Sequence, residues 1–443
     1  MDDYWEDDEL QDRLYHARKE EERRQRFRPS RTDFQWTLSR TKTIPLILGL
    51  LLIVWWLLSS IPRTTRLDWS RYAYSQYATD TQSLCNAVMV FASLHKLGSK
   101  ADRILLYPQQ WMYRKDTKTA WLLETAKTRY GVKLEPIQLI SADGKPATPG
   151  TLATPDSDWN LSITKLRVFD LIQYDRVVHL DSDITLLRHM DELFALPSTP
   201  VAMPRAYWSH GPYSKWELTT VVMVIEPSTH EVPAMMKILR EWQKDPSYAQ
   251  SNKYDMDLLN DRFGGSAMVL PHRPYTMLSA EFRSHNHTTY MGNPHSHPLD
   301  QRAIWKADDA LSEAKLIHFS DWPLPKPWIM WPSEGLAEIQ PDCGGSTKGT
   351  CREREIWKKL YDDFRRRRKE ICGILSVPAP DWWTWKKEMQ MDRFIESCIE
   401  STELSLLEQV CFSDMIDMSA SISITCVNPK YLLSENVGHD PQQ

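Results

Sequence analysis

Two carboxylates stand one residue apart in the stretch RVVHLDSDITLL, as Asp181 and Asp183, with an apolar run on each side. The residues before them, RVVHL, have the composition of a buried strand. Two aspartates at a strand end offer hard oxygen ligands, which suit Mg²⁺ or Mn²⁺ and leave coordination sites open to substrate phosphates. The alternative is an Asx turn between two strands. Because two unpaired buried carboxylates are costly, the pattern favours a cation site at Asp181, Ser182 and Asp183.

A second group of polar residues occurs in IHFSDWPLPKPW, which contains His318, Asp321, Lys326 and Trp328. His318 follows an apolar run and can complete the ligand set of a cation through one ring nitrogen. Lys326 stands between prolines and can meet a diphosphate as a point charge. Taken alone, the segment favours a hydrogen-bonded core histidine in a proline-rich loop, and only a wider pattern favours the ligand.

Strand and helix patterns alternate from about Tyr74 onwards. Predicted strands are AYSQYA, DRILLYP, VKLEPIQLI, RVVHL and TTVVMVIEP, and predicted helices are TQSLCNAVMVFASLHKLG, KTAWLLETAKTRYG, SITKLRVFDLIQY and AMMKILREWQ. Gly98 and Gly131 are typical helix ends. The alternation predicts an α/β fold with a mainly parallel sheet flanked by helices. In such sheets ligands bind beyond the carboxyl ends of the strands, which is where Asp181 and Asp183 stand.

An uncharged stretch of twenty residues, TIPLILGLLLIVWWLLSSIP, runs from Thr43 to Pro62. This is about the length that crosses the hydrocarbon of a bilayer. More Lys and Arg residues precede the stretch than follow it, which predicts a cytoplasmic N-terminus. The resulting segments are a disordered cytoplasmic tail (1–43), a transmembrane signal anchor (44–62), a stem (63–73), a luminal catalytic domain (74–372) and a C-terminal extension of unknown role (373–443).

The net charge bears on the class of partner, and the cysteines agree with a protein whose mass lies mostly on the luminal side of the membrane. The formal net charge of −5 argues against a nucleic-acid partner, and 42% hydrophobic residues permit a sizeable core. All seven cysteines follow the apolar stretch, so disulfides are permitted, and the odd number leaves at least one free or intermolecular. Asn160 and Asn286 begin glycosylation acceptor patterns, which fit a luminal glycoprotein.

These motifs together resemble a known family. TKLRVFDLIQY, the strand, Asp-x-Asp, VVMVIEPS, YDMDLLN and a distant histidine before KPW occur in the order seen in glycogenin-like retaining glycosyltransferases, glycosyltransferase family 8. The chain resembles this family from about Tyr74 to Trp328. It is more closely similar to the fungal Golgi N-acetylglucosaminyltransferase branch, through FASLHKLGSKADRILLYP, GGSAMVLPHRPYTMLSAEFR, HFSDWPLPKPW and CREREIWKKLYDDFRRRRKEIC. In that branch a short N-terminal anchor precedes the catalytic domain.

The resemblance implies a nucleotide-sugar-binding fold of the GT-A, Rossmann-like type, Mn²⁺ (or Mg²⁺) as cofactor and a UDP-sugar as donor. Asp181, Asp183 and His318 match the metal ligands, and Lys326 matches the lysine that meets the diphosphate. The other matched residues are Lys165 near the donor sugar, the uracil-binding strand end Tyr77, Ala78 and Thr79, and the segment Asp255 to Asn260 beside the reacting sugar.

Three departures from the family pattern bear on these matches. Asp80 and Ser83 replace a common Asn and Tyr, which affects stacking on uracil. Thr219-Thr220-Val221 replaces Asn-Ser-Gly, and Met256 replaces a glutamine often placed near the sugar. Either Asp255 or Asp257 is then expected to take the role of that glutamine.

The function implied by the resemblance is transfer of N-acetylglucosamine from UDP-GlcNAc to a glycan or glycoprotein acceptor, by a retaining, metal-dependent enzyme. Its location is a Golgi membrane, as a single-pass type II protein with a luminal catalytic domain. The alternatives are the same fold using another UDP- or GDP-sugar, and a catalytically inactive, membrane-anchored protein that binds nucleotide sugar or glycan. A metal hydrolase is disfavoured, because the sequence has neither a second metal cluster nor an activated nucleophile motif.

Overall fold

The computed structural model describes residues 67–113, 117–149, 161–209, 216–246, 248, 253–292, 305–321, 324, 326–344, 349–378, 383–384 and 386–387. The predicted tail, membrane anchor and most of the stem lie outside these residues, as does the chain beyond residue 387. Within the described ranges, no helix has the length and apolar character needed to cross a bilayer. The membrane span and the segment boundaries therefore stay predictions.

Fourteen strands occur in the described residues. They are β1 (Tyr72–Tyr77), β2 (Asp102–Pro108), β3 (Val132–Ile137), β4 (Leu139–Ile140), β5 (Pro146–Ala147), β6 (Arg176–Leu180), β7 (Ile184–Leu186), β8 (Val201–Pro204), β9 (Val222–Ile225), β10 (Met268–Leu270), β11 (Met277–Leu278), β12 (Leu316–His318), β13 (Ile329–Met330) and β14 (Val377–Pro378).

The α-helices of the described residues number nine. They are α1 (Thr81–Lys96), α2 (Lys118–Tyr130), α3 (Glu231–Trp242), α4 (Asp255–Phe263), α5 (His272–Tyr275), α6 (Thr288–Met291), α7 (Ala307–Glu313), α8 (Ser333–Ile339) and α9 (Arg352–Cys372). Short 3₁₀ helices span Trp69–Arg71, Gln109–Tyr113, Ser162–Asp170, Asp191–Ala195 and Ser279–Phe282.

Seven strands form the central sheet, in the order β10-β8-β9-β6-β1-β2-β3. The pairs β1–β2, β2–β3, β1–β6 and β8–β10 are parallel, whereas β9 runs antiparallel to both of its neighbours. The prediction of a mainly parallel α/β sheet is therefore confirmed. A three-stranded sheet, β11-β12-β7, lies beyond the carboxyl end of β6 and receives the chain directly after the acidic pair.

Helices cover both faces of the central sheet, because adjacent strand residues point to opposite sides. Tyr74 and Val178 pack in one apolar cluster with α1, α2 and α9, whereas Ala73 and Val177 pack in the other with α3 and α4. In α1, four apolar residues at helical spacing are all fully buried: Leu84, Val88, Phe91 and Leu94. Nearly all the other residues between Leu84 and Leu94 are buried as well, so this helix is covered on most sides.

Two predicted elements differ from the structure. VKLEPIQLI forms two strands, because the Gln138 side chain binds the carbonyl of Ala147 (2.6 Å) where the chain leaves the sheet to pair β4 with β5. SITKLRVFDLIQY forms a 3₁₀ helix over Ser162–Asp170 and not a longer α-helix. Near its start, the Thr164 hydroxyl makes two hydrogen bonds with the backbone of Ile140, and threonine hydroxyls in such bonds compete with helical bonding.

Two disulfides join described cysteines, Cys85 to Cys372 and Cys343 to Cys351. The first links α1 to the end of α9 across a sequence separation of 287 residues. The three remaining cysteines lie outside the described residues, so the expected unpaired cysteine stays a prediction.

Candidate metal centre and active site

The acidic pair lies at the carboxyl end of β6, in the middle of the central sheet. The amide of Asp181 donates to the carbonyl of Val221 (3.0 Å), which keeps the first residue after β6 joined to the segment leading into β9. Asp183 follows two residues later, and its carbonyl accepts from the amide of Phe319 (2.9 Å). Ser182 is half-buried between them. Both carboxylates are therefore held by backbone bonds to other elements.

His318 reaches this point through the small sheet. Its strand, β12, pairs antiparallel with β7, and His318 stands opposite Ile184, the residue after Asp183. The ring nitrogen Nε2 lies 3.3 Å from Oδ2 of Asp183. Nδ1 is buried and has no hydrogen-bond partner among the described residues. One ligand atom from each of Asp181, Asp183 and His318 falls within 4.8 Å of the others, a group able to hold a metal ion.

Lys326 supplies a positive charge at the same place. Its ammonium lies 2.6 Å from Oδ2 of Asp183 and also donates to the carbonyl of Phe319 (3.1 Å). Burial raises the pKa of Asp183, but Lys326 and His318 outweigh burial and hold that pKa well below its usual range. Asp183 is thus an anion that lies beside the Lys326 ammonium.

Lys165 lies behind the acidic pair and is almost fully buried, with 4% of its surface exposed. Its ammonium contacts Oδ1 of Asp181 (2.8 Å), Oδ2 of Asp255 (2.7 Å) and the Thr220 hydroxyl (3.0 Å). Burial acts to lower the pKa of Lys165, but the two carboxylates more than reverse this and raise it well above its usual value. For Asp181, burial raises the pKa against the opposing charge of Lys165.

The structure distinguishes the two candidate acids of α4. Asp255 is buried at the first turn of the helix and also accepts from the Thr220 hydroxyl (3.0 Å). Asp257 accepts from the amide of Tyr254 (2.8 Å) and so caps its own helix. Asn260, at the end of the matched segment, makes two hydrogen bonds to the backbone of Leu218: its side-chain oxygen accepts from the Leu218 amide, and its side-chain nitrogen donates to the Leu218 carbonyl. The structure therefore brings Asp255, and not Asp257, into contact with Lys165.

The predicted nucleotide-binding end of β1 leads directly into α1. Burial raises the pKa of Tyr77, and among its neighbours Lys165 acts in the opposite direction. Ala78 donates to the carbonyl of Leu106 (3.0 Å), which keeps the strand end beside β2. The amide of Thr79 donates to the Ser83 hydroxyl (3.1 Å). These three residues lie on the same edge of the sheet as Asp181.

The departure at Asp80 and Ser83 has a structural explanation. The Asp80 carboxylate accepts from the amides of Gln82 (2.6 Å) and Ser83 (2.7 Å), and the Ser83 hydroxyl binds back to the amide of Asp80 (3.1 Å). This reciprocal arrangement is a capping box that begins α1. Both residues are occupied in starting a helix.

Asp321 and Trp328 contact residues outside the candidate metal centre. Asp321 is buried and forms an ion pair with Arg283 (2.7 Å). Burial raises the pKa of this carboxyl, against the effect of the arginine. The ring of Trp328 packs against Phe364 of α9, with 6.0 Å between ring centres.

Two supporting residues were not predicted from the sequence. Thr220 joins Lys165 to Asp255, and Gln76, which is 1% exposed, donates to the carbonyl of Asp181 (3.2 Å). A glutamine in the buried strand YSQY was a usable indication, because buried polar side chains need partners. The sequence marked Thr220 only as part of the departure Thr219-Thr220-Val221 and did not indicate its contacts, since its partners are 35 and 55 residues away.

Solved structures give only distant similarity. The galactosyltransferase LgtC in complex with donor and acceptor sugar analogues is 14% identical, with 71% of this chain and 98% of that chain covered and a TM-score of 0.42. The apo form of the glycosyltransferase GlyE of Streptococcus pneumoniae is 16% identical, with 73% and 64% covered and a TM-score of 0.36. These scores are too low to support an argument, so the α/β assignment rests on the sheet order above. No protein-family model matches the chain.

Curated relatives are much closer. Glucose N-acetyltransferase 1 of Aspergillus fumigatus is 46% identical over 324 residues, which cover 70% of this chain and 80% of the relative. The protein of the same name from Gibberella zeae is 43% identical, with 72% and 67% covered. That from Saccharomyces cerevisiae is 23% identical, with 70% and 82% covered. The chain therefore belongs to the N-acetylglucosaminyltransferase family that these relatives represent.

Proposed function

We propose that this chain is a Golgi type II membrane enzyme that transfers N-acetylglucosamine from UDP-GlcNAc to a glycan acceptor, with a divalent metal and with retention of configuration. The observation that carries the proposal is the convergence of Asp181, Asp183 and His318 at the carboxyl edge of the sheet, with Lys326 beside them. Loops converge at such an edge, which is where ligands of parallel sheets bind.

The residues present fit Mn²⁺ or Mg²⁺. Two carboxylates and one imidazole form a hard-to-borderline ligand set, with room for phosphate oxygens in the remaining positions. Lys165 engages Oδ1 of Asp181, and no hydrogen bond among the described residues uses Oδ2. Nε2 of His318, which lies 3.3 Å from Oδ2 of Asp183, is the ring nitrogen placed to act as the imidazole ligand.

The roles of the side chains follow from their contacts. A divalent cation bound there supplies positive charge that stabilises the departing diphosphate. Lys326, which lies in a turn next to Asp183, adds a second positive charge for the oxygens of the diphosphate. Lys165 offsets one of the two negative charges of Asp181 and Asp255 and holds both in fixed positions, so little reorganisation is needed when charge develops. Acceptor positioning within about 3–3.5 Å of the sugar carbon supplies much of the remaining rate.

The membrane orientation in the proposal is supported by sequence and by structure. The uncharged stretch from Thr43 to Pro62 precedes the entire catalytic domain. The buried disulfide between Cys85 and Cys372 suits an oxidising compartment. We expect an N-terminal tag to be digested by protease added to intact Golgi vesicles, whereas the domain from residue 74 stays protected until detergent is added. Digestion of both in intact vesicles contradicts the luminal orientation.

The donor is tested with a panel of nucleotide sugars on the purified full chain. UDP-GlcNAc, UDP-glucose, UDP-galactose and GDP-mannose are each added with Mn²⁺ or with EDTA, and the thermal midpoint and released UDP or GDP are measured. The proposal predicts a Mn²⁺-dependent stabilisation and turnover that are largest with UDP-GlcNAc. A larger response to another donor means that the enzyme transfers that sugar and not N-acetylglucosamine. Binding of UDP without any turnover favours the inactive binding protein.

The metal ligands are tested by Asp183→Ala, with Asp170→Asn as the control. We expect Asp183→Ala to lower transfer by about 100-fold or more, since even the loss of a residue that only supports a metal ligand commonly costs about 10- to 100-fold. Asp170 is an exposed aspartate that pairs with Arg167 away from the centre, so its substitution keeps transfer unchanged. Unimpaired Mn²⁺-dependent transfer by a folded Asp183→Ala protein contradicts the proposed centre.

A further inference from the structure

Lys326 begins a tight turn that ends in a strand. The amide of Ile329 donates to the carbonyl of Lys326 (3.0 Å), which closes a four-residue turn with Pro327 at its second position. Proline fixes the backbone there and favours such a turn. Because a side chain is only as well placed as its backbone, the location of the Lys326 ammonium depends on what holds this turn.

The turn is held by α9, at the end of the predicted catalytic domain, and by β14, at the start of the predicted C-terminal extension. Ile329 in β13 pairs in parallel with Val377 in β14, and the amide of Val377 donates to the carbonyl of Trp328 (2.8 Å). The guanidinium of Arg368 in α9 lies 5.6 Å from the centre of the Trp328 ring, within the range of a cation–π contact. Phe364, one turn earlier in α9, packs on the same ring.

Helix α9 is in turn fixed to α1. Cys372 forms the disulfide with Cys85, and Nη1 of Arg368 donates to the side chain of Asn86 (2.7 Å). Burial lowers the pKa of Arg368 to about 10, and Asp80 at the start of α1 acts against this. Gly373 then ends α9 with a φ of 59°, a left-handed conformation that suits glycine and redirects the chain toward β14.

We infer that α9 and β14 form the positioning element of the active-site lysine: they hold the turn of Lys326 so that its ammonium faces Asp183 and the diphosphate of the donor. The inference rests on the proposed function for the identity of that diphosphate. It assigns a role in donor binding to residues that touch neither donor nor metal. Val377 lies at the surface, with 44% of the residue exposed, so its side chain can be changed with little effect on the core.

The test compares two substitutions at one surface position. Val377→Pro removes the amide that binds the Trp328 carbonyl, whereas Val377→Ala keeps that amide and removes most of the side chain. UDP affinity is measured by titration calorimetry in Mn²⁺ buffer on the purified full chain. We expect the dissociation constant of UDP to rise about 3- to 10-fold with Val377→Pro, the equivalent of one hydrogen bond, and less than twofold with Val377→Ala.

A double-mutant cycle separates positioning of the lysine from a general loss of structure. Lys326→Ala alone weakens UDP binding, and Val377→Pro added to Lys326→Ala produces no further loss if its effect passes through the lysine. A melting-temperature measurement on each variant checks folding. Additive losses in the cycle, or wild-type affinity in Val377→Pro, overturn the inference. A wild-type chain that binds no UDP overturns the proposed function as well, so the two failures are distinct.

Discussion

Lys165 is the most constrained side chain of the site. It is buried, and it contacts two carboxylates and one hydroxyl within 3.0 Å. A buried ion pair is costly to form, and the loss of one partner leaves an uncompensated charge. Lys165 therefore links the metal centre, through Asp181, to the first turn of α4, through Asp255. A substitution at any member of this group is therefore expected to shift the positions and charges of the others.

Thr220 tests this link with a small chemical change. We expect Thr220→Val to lower the rate constant of transfer about tenfold, because the hydroxyl that joins Lys165 to Asp255 is lost at a buried position. Thr220→Ser keeps the hydroxyl and serves as the matched control, with a rate constant near that of the wild type. Steady-state kinetics with saturating donor measure both. Equal rates in Thr220→Val and Thr220→Ser contradict the assigned role.

The two acids of α4 give a second comparison. Asp255→Asn is expected to lower transfer about 100-fold, since its charge faces Lys165. Asp257→Asn removes a helix-capping carboxylate and is expected to lower stability by about 0.5–1 kcal/mol while transfer stays within twofold. Transfer assays and urea unfolding on the same samples check the pair. If Asp257→Asn lowers transfer and Asp255→Asn does not, Asp257 is the acid that acts beside the reacting sugar.

At the scale of elements, the segments that carry the site differ in how well the sequence predicted them. Asp181 and Asp183 were predicted as cation ligands from residue type and strand position, whereas His318 was added to them only through the resemblance to the family. The 3₁₀ helix that carries Lys165 was expected to be an α-helix, because the local apolar spacing does not reveal the competing bonds of Thr164 to Ile140. The antiparallel direction of β9 is likewise set by long-range pairing. Such contacts are absent from local periodicity.

The start of α1 is a further element whose sequence was explained only by structure. We expect Asp80→Ala to lower the free energy of unfolding by about 1 kcal/mol, because the amides of Gln82 and Ser83 lose their acceptor. Asp80→Asn keeps an acceptor oxygen and is the control, with stability close to the wild type. Chemical denaturation measures the difference. A larger loss of UDP affinity than of stability in Asp80→Ala indicates a direct contact with the nucleotide.

At the scale of the whole molecule, folding stability is expected to depend on pH through buried histidines. His272 donates from Nε2 to the carbonyl of Tyr290 (2.7 Å) and is 9% exposed. Burial lowers its pKa, with Arg273 acting in the same direction and the bond to Tyr290 and the charge of Glu313 acting against it. Burial also lowers the pKa of His179. The unfolded chain, with histidine pKa values near 6.5, therefore binds protons that the folded chain does not.

The free energy of unfolding is expected to decrease in mild acid. Below about pH 6.5 the unfolded state takes up more protons, so stability falls as the pH falls, by up to about 1.4 kcal/mol per pH unit for each such histidine. We expect His272→Gln to reduce the slope of stability against pH between pH 6.5 and 5. Between pH 7.5 and 8.5 the variant and the wild type are expected to have the same slope. Urea titrations across the pH range measure it. An unchanged slope in His272→Gln contradicts the contribution of this ring.

The bond between Cys85 and Cys372 has a consequence for biosynthesis. Cys85 leaves the ribosome 287 residues ahead of its partner, which at about 5–20 residues per second corresponds to a delay of about 15–60 s. Cys343 and Cys351, only 8 residues apart, emerge during that delay and can join each other first. The lysine turn is completed later still, when residue 377 emerges. We therefore expect the nascent polypeptide to acquire affinity for nucleotide only near the end of its synthesis.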